Sequence, residues 1–522
     1  MSVARLRAVS GARLGFVSAA GCGAGLMVAI ATSPLRGTVQ LFEDFDTDPG
    51  WDRHNNVVTS PVARVVTQNF GYRTSNFAGN APGEIGGIID RAPLNGAYYG
   101  LVLDAPLTLE QPLSFSGNAA IRMATHTVGF TSSSDVFVGF FNSQEQGWRP
   151  PNFLGFRIHG FNEPVQHVAG IELSYGTSRW AADGALGVQT IFPGATKHSF
   201  QVNYNPNVGS GQMTFQWDGG PVQSLDIRPL HRSHGAVFNR FGIFSNQLPG
   251  SVEGNKIEAY FDDLNVNGVT YSFASNPGWE GVGNQTMFQD RNFYGTNNFG
   301  HRTSNFAGGA SPGELGGLFW RVEDRDEEFQ GYYADDVGIL TLNDRLHASG
   351  KIAVTKFSID SGVMLGWFNS AEQDWPPSNF VGVYMDSFTS VGRHFTPMYG
   401  TQSGITEFAQ QPWPLLSADG TSMDWTIDYD PDAAGGLGAI TVTLEQMTRT
   451  LVLQPGAKLD GAILDRFGVF NMQDNNGKHA LIYFDDISYT SAIPEPGPVA
   501  IMGFCVLAGA SGARFGRTRR FR

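Results

Sequence analysis

The sequence predicts an all-β protein made of two tandem β-sandwiches of jelly-roll type, and three observations carry that expectation. The 66 glycines and 27 prolines among 522 residues, with 41% apolar and 12% aromatic content, describe a packed chain with many turns and few long helices. Several stretches alternate apolar and polar residues with period two, as antiparallel strands with one buried and one wet face do. The chain also repeats itself: FGYRTSNFAGNAPGEIGG, Phe70 to Gly87, returns as FGHRTSNFAGGASPGELGG, Phe299 to Gly317.

With that block aligned, most of the remaining sequence falls into step. Pro49-Gly50-Trp51 answers Pro277-Gly278-Trp279, and FFNSQEQGWRPPNFLG (Phe140 to Gly155) answers WFNSAEQDWPPSNFVG (Trp367 to Gly382). NRFGIF at Asn239 answers DRFGVF at Asp465, and YFDD at Tyr260 answers YFDD at Tyr483. Each copy has roughly 220 to 230 residues, enough for a core of its own. Two globular domains are therefore expected, at 38–268 and 269–491.

The first domain opens with the acidic stretch LFEDFDTDPGW, Leu41 to Trp51. Alternation is clearest where Met213, Phe215 and Trp217 oppose Thr214, Gln216 and Asp218. In the second copy Trp425, Ile427 and Tyr429 oppose Thr426, Asp428 and Asp430, and Ile440, Val442 and Leu444 oppose Thr441, Thr443 and Glu445. VFVGFF (Val136 to Phe141) and VMLGWF (Val363 to Phe368) are apolar on both faces, which marks central strands.

The two ends differ from the body. Residues 1–33 read as an export signal, with Arg5, Arg7 and Arg13, an apolar run from Leu14 to Ala31, and Ala29-Ile30-Ala31 as a cleavage site. At the other end Pro494-Glu495-Pro496 precedes an apolar span at 497–513, expected to be a helix, and then RFGRTRRFR. That order, over residues 492–522, resembles the PEP-CTERM sorting signal of exported bacterial proteins. The resemblance implies an exosortase-type membrane protease as partner and an address at the cell surface or in the extracellular matrix. A span of 17 residues is marginal for a hydrocarbon core of about 30 Å. The only cysteines, Cys22 and Cys505, lie in these two ends, so the body offers no disulfide or thiolate chemistry.

Charge narrows the ligands. The net charge is −14, and without the eight arginines Arg5, Arg7, Arg13, Arg514, Arg517, Arg519, Arg520 and Arg522 it is −22. A body so acidic disfavours nucleic acid as a partner.

The NSxEQxW loop, the NRFGIF or DRFGVF strand and the YFDD strand together resemble the concanavalin A-like lectin and glucanase superfamily, in particular tandem domains of planctomycete-type surface proteins. The resemblance implies the sandwich fold but no activity, because that superfamily includes lectins, hydrolases and structural modules. Glycosidases of this class place carboxylates at alternate positions of one strand, as Glu-x-Asp-x-x-Glu or Glu-x-Asp-x-Glu, and neither copy has that motif. Glu84 and Glu314 stand singly among glycines. Asp262-Asp263 and Asp485-Asp486 are adjacent on predicted strands, so their side chains face opposite ways and cannot flank one glycosidic bond.

A structural calcium is open at Glu43, Asp44 and Asp46 with Asp262 or Asp263, although no cofactor is required. Asp428, Asp430 and Asp432 before a Gly-rich turn read as hairpin chemistry rather than ligands. The best binding candidate is the twice-kept loop: Asn142, Glu145, Gln146, Trp148 and Asn152, and Asn369, Glu372, Gln373, Trp375 and Asn379. An aromatic face that stacks on sugar C–H groups, beside planar polar groups that bond hydroxyls, is the inventory of a carbohydrate site. The competing reading has the tryptophans plugging the sandwich end and the polar residues capping the loop. The sequence thus predicts an exported, non-catalytic surface protein that binds glycan or serves structurally, with extracellular polysaccharide as its partner. A sugar-active enzyme with an atypical site and a ligand-free spacer stay open.

Overall fold

The computed structural model describes residues 37–492, apart from 61, 93, 126–134, 145–149, 164–165, 180–181, 185–188, 192, 195, 248–255, 292–295, 322–329, 359–360, 373–374, 389–390, 418 and 473–478. The export signal, the apolar span and Pro494, Glu495 and Pro496 lie outside these residues. Among the described residues no helix is long and apolar enough to cross a membrane.

Among the described residues strands dominate, joined by three helices of four to six residues. They form four antiparallel sheets, packed in pairs. In the first pair, a nine-stranded sheet runs Gln223–Asp226, Gln212–Trp217, Lys197–Asn205, Leu113–Ala124, Lys256–Val266, Glu84–Asp90, Arg64–Arg73, Gln285–Asp290, with Val269–Tyr271 also on Lys256–Val266. Its eight-stranded partner runs Ala182–Gly184, Gln166–Gly176, Phe153–Glu163, Asp135–Phe141, Val237–Ser245, Tyr98–Thr108, Glu280–Val282, with Gln189–Ile191 on Gln166–Gly176. Phe115 of one sheet meets Phe140, Phe156 and Phe241 of the other at 5.1–6.0 Å between ring centres. The second pair has the same order, built around Leu346–Phe357 and His479–Ala492 in its nine-stranded sheet and Val363–Phe368 and Leu464–Asn471 in its seven-stranded one.

The period-two stretches are strands with the expected faces. Met213, Phe215 and Trp217 are buried, as are Trp425, Ile427, Tyr429, Ile440, Val442 and Leu444, while Asp424 and Asp428 are exposed. VFVGFF and VMLGWF are buried on both sides. Val136, Val138 and Phe140 enter the main core of their sandwich, and Phe137 and Phe141 join a smaller aromatic cluster on the outer face with Tyr98, Phe153 and Phe244. Met364 and Phe368 do the same with Phe380, Tyr384, Met398 and Phe470.

The sheets are not divided where the sequence repeat divides. Val269–Tyr271, Glu280–Val282 and Gln285–Asp290, which follow residue 268, pair with Lys256–Val266, Tyr98–Thr108 and Arg64–Arg73 and complete the first sandwich. The equivalent opening segment of the chain, Thr38–Glu43, Asp52–His54 and Val57–Val58, pairs with His479–Ala492, Tyr332–Leu340 and Asn297–Arg302 and completes the second. Phe45 and Trp51 therefore belong to the second core and Phe273 and Trp279 to the first. Trp51 packs on Phe45, Tyr333 and Tyr489 at 5.2–5.7 Å. Thr38 lies opposite Ala492, so both ends of the described chain meet in one strand pair.

The repeated block has a structural cause. A Cβ at Gly86 would stand 2.1 Å from the Ala259 carbonyl, and one at Gly316 would stand 2.3 Å from that of Ile482. Only glycine lets these neighbouring strands close.

Candidate functional site

The four asparagines of the twice-kept loop hold the loop. Asn142 donates to the Val237 carbonyl and accepts from the Gln144 amide, and Asn152 accepts from the Val237 amide. The second copy repeats each bond: Asn369 donates to the Ile463 carbonyl and accepts from the Ala371 amide, and Asn379 accepts from the Ile463 amide at 2.8 Å. Asn152 and Asn379 have φ of 48° and 47°, a left-handed conformation that asparagine tolerates better than most residues. Asn379 also donates to Glu372 at 2.7 Å. Glu145, Gln146, Trp148 and Gln373 lie outside the described residues.

Trp375 is placed differently. Half-buried, it stacks at 5.4 Å on Tyr384, which meets Phe408 edge-on at 5.4 Å and His394 at 5.0 Å. The strand Gly392–Gly400 and the short strand Thr406–Phe408, paired through Met398 and Phe408, bring further groups alongside. The result is a cavity of about 200 Å³ lined by Trp375, Pro376, Met398, Thr406, Glu407, Phe408 and Gln410. Trp375, Pro376, Met398 and Phe408 form its apolar wall, Phe408 being 37% exposed. Glu407 and Gln410 supply a carboxylate and an amide, and Thr406 a hydroxyl. Of the residues expected at this loop, Trp375 alone among the described ones lines the cavity.

Glu407, Phe408 and Gln410 were not expected from the sequence. They come from ITEFAQQPW, Ile405 to Trp413, a stretch outside the twice-kept motifs. The available signal was a run of aromatic and amide residues between two turns.

The five carboxylates considered for calcium are not brought together, because the opening segment crosses to the second sandwich. Glu43 lies opposite Ile487 in one sheet, whereas Asp262 and Asp263 stand in Lys256–Val266 of another. Asp44 accepts the Asp46 amide in a local turn. No group of three or more His, Cys, Asp or Glu side chains among the described residues is arranged to hold a metal ion. Asp430 and Asp432 pair with Arg345, and Asp428 with His347 at 2.7 Å.

Asp262 instead belongs to a buried carboxyl pair built twice. The registers Ile85 to Phe261 and Leu315 to Phe484 set Glu84 one step from Asp262 and Glu314 one step from Asp485. All four are buried. Glu84 accepts from the amides of Phe77 and Ala78, and Glu314 from that of Ala307, which fixes the turn of the repeated block. Burial pushes Asp262 and Asp485 up to about 6. Gly79 and Gly309 lie against these carboxyls, where a Cβ would come within 1.7 and 2.0 Å.

No protein-family model matches the chain, and no curated protein matches it. Among solved structures it is similar to the carbohydrate recognition domain of Emp47p, at 12% identity over 43% of this chain and 100% of that one, with a TM-score of 0.24. It is also similar to domains LG4-5 of the mouse laminin α1 chain (11% identity, 76% and 90% covered, TM-score 0.18) and to peanut lectin (13%, 34% and 93%, TM-score 0.21). At such scores the fold rests on the strand pairings described above.

Proposed function

We propose that the chain is an exported, non-catalytic protein that binds glycan through the Trp375 pocket of its second sandwich. The observation that carries this reading is the pocket's composition: two aromatic side chains, Trp375 and Phe408, beside the hydrogen-bonding groups of Glu407, Gln410 and Thr406. Aromatic faces take the C–H surface of a sugar ring, and the carboxylate and amide take its hydroxyls. Among the described residues, Glu407 is the only carboxylate lining it. Hydrolysis of a glycosidic bond needs two, about 5 to 10 Å apart. The paired carboxylates at Glu84/Asp262 and Glu314/Asp485 are buried.

An extracellular polysaccharide is the partner this reading supplies. The export signal and the PEP-CTERM-like tail support an address at the cell surface, with the tail removed by an exosortase-type protease. Because Ala492 pairs with Thr38, a cut after residue 492 leaves the closing strands whole. Glycan-array binding of the purified protein, compared with Trp375→Ala, tests the function: the array should light up for the wild type and lose roughly ten- to a hundredfold in signal affinity for the variant. Hydrolysis of an arrayed glycan that disappears with Glu407→Gln would replace binding by catalysis.

A further inference from the structure

Residues 38–58 lead into Arg64 of the first sandwich through the stretch TSPVA, 59–63, yet they are seated in the second. The seat is specific to them. Asn56 donates to the Phe299 carbonyl at 2.5 Å, His301 donates to the Phe45 carbonyl at 2.9 Å, and Asp52 pairs with Arg466 at 2.9 Å. A Cβ at Gly313 would stand 2.0 Å from the Phe45 carbonyl, so the groove is shaped to this backbone. Residues 269–290 are held alike in the first sandwich. There Asn284 donates to the Phe70 carbonyl at 2.6 Å, Glu280 pairs with Arg240 at 2.7 Å, and a Cβ at Gly83 would stand 1.9 Å from the Phe273 carbonyl.

The two segments differ in how the chain delivers them. Val269 follows Val266 through the turn Asn267-Gly268, so the first sandwich is completed by the residues that come next in the chain. In the second sandwich Tyr489 lies opposite Leu41 as Val266 lies opposite Val269, but the two strands run on to Ala492 and Thr38. The partners here, such as Gln40 and Thr490, are separated by 450 residues. The second sandwich is thus completed by a segment that its own chain supplies only by crossing back from the first. A second copy carries the same segment, and exchange of an identical element between copies keeps its contacts.

We propose that copies of this chain associate by such an exchange, residues 38–58 of one copy filling the second sandwich of another. Trp51 then packs on Tyr333 and Tyr489 of the other copy, and Asn56 and Asp52 make their bonds to its Phe299 and Arg466. The stretch 59–63, which joins two sandwiches of one molecule in the closed form, joins two molecules in the exchanged form. A segment tethered to its own chain competes at an effective concentration on the order of millimolar, so exchange grows with protein concentration. The association uses no residue of the Trp375 pocket and stands independently of glycan binding there.

Single-thiol variants of the full chain test the exchange, each carrying Cys22→Ser and Cys505→Ser. One has Thr38→Cys and another Ala492→Cys, at positions that face each other in the strand pair and so lie within reach of a disulfide. A third has Asp424→Cys, exposed on the same sheet but two strands beyond His479–Ala492 on the side away from Thr38–Glu43. The first variant is mixed with either of the others, unfolded and refolded in concentrated and in dilute solution until the original melting transition returns, and then oxidised. The concentrated mixture of the first two should give dimers joined from position 38 to position 492, several-fold more than the 38-to-424 control, with the mass by light scattering doubled before oxidation. Dilution should return monomers. Monomers throughout, or 38-to-492 links no more abundant than the control, would overturn the proposal.

Discussion

At the scale of single residues, the buried carboxyl pairs make a prediction with a definite sign. Asp262 and Asp485 titrate near 6 when folded, against about 3.9 in an unfolded chain. The stabilisation this represents is fully present below pH 4 and lost as pH rises through 6. His159, His234 and His394 act oppositely, since burial lowers them to about 4, 4 and 3 and their contribution fades on acidification. The readable quantity is therefore a difference. The melting temperature of Asp485→Asn minus that of the wild type should increase between pH 5 and 7.5, by the equivalent of about 1–2 kcal/mol. A difference independent of pH would show that Asp485 ionises normally.

Trp375 invites a separate residue-scale expectation, because it differs from Trp320, Trp367 and Trp425, which are fully buried. Truncating one of those should cost about 3–5 kcal/mol. Trp375→Ala, removing a half-exposed ring, should cost clearly less in a denaturant midpoint while weakening glycan binding roughly ten- to a hundredfold. An equal loss of stability would mean that Trp375 plugs the sandwich end.

At the scale of elements, the account turns on the exchanged closing segments. Trp51 lies in the first copy of the sequence but fills the second core, and Trp279 lies in the second copy and fills the first. Trp51→Ala should speed hydrogen exchange in Tyr332–Leu340 and His479–Ala492 and leave Tyr98–Thr108 protected, with a cost of about 3–5 kcal/mol. Trp279→Ala should give the reverse pattern. Alternation and the self-repeat made the individual strands legible: the faces of Gln212–Trp217 and Met423–Asp430 follow from period two alone. The exchange was not, because Thr38–Glu43 and Val269–Tyr271 take equivalent places in the two sandwiches and nothing local in either segment names its partner strand. The same crossing removed Glu43, Asp44 and Asp46 from Asp262. Within the twice-kept loop, recurrence marked Asn152 and Asn379 through their left-handed backbone rather than through a ligand. The pocket's Glu407 and Phe408, lacking a matching motif in the first copy, were invisible to self-comparison.

At the scale of the whole molecule, the protein is two sandwiches of common topology in which only some surfaces have diverged. The Trp375 pocket involves Glu407, Phe408 and Gln410, which lie outside the shared pattern. The proposed address is tested at the ends of the chain. Mass spectrometry of protein recovered from the native cell surface should find a C-terminus shortly after Ala492 and no peptide from Arg514 to Arg522; an intact tail on most molecules would show a permanent anchor instead. The most direct test of glycan binding at the second sandwich is hydrogen exchange of the full chain with and without the tightest glycan found on the array. The account predicts new protection confined to the segments around Trp375 and Thr406 to Gln410. Protection elsewhere with these segments unchanged would contradict it.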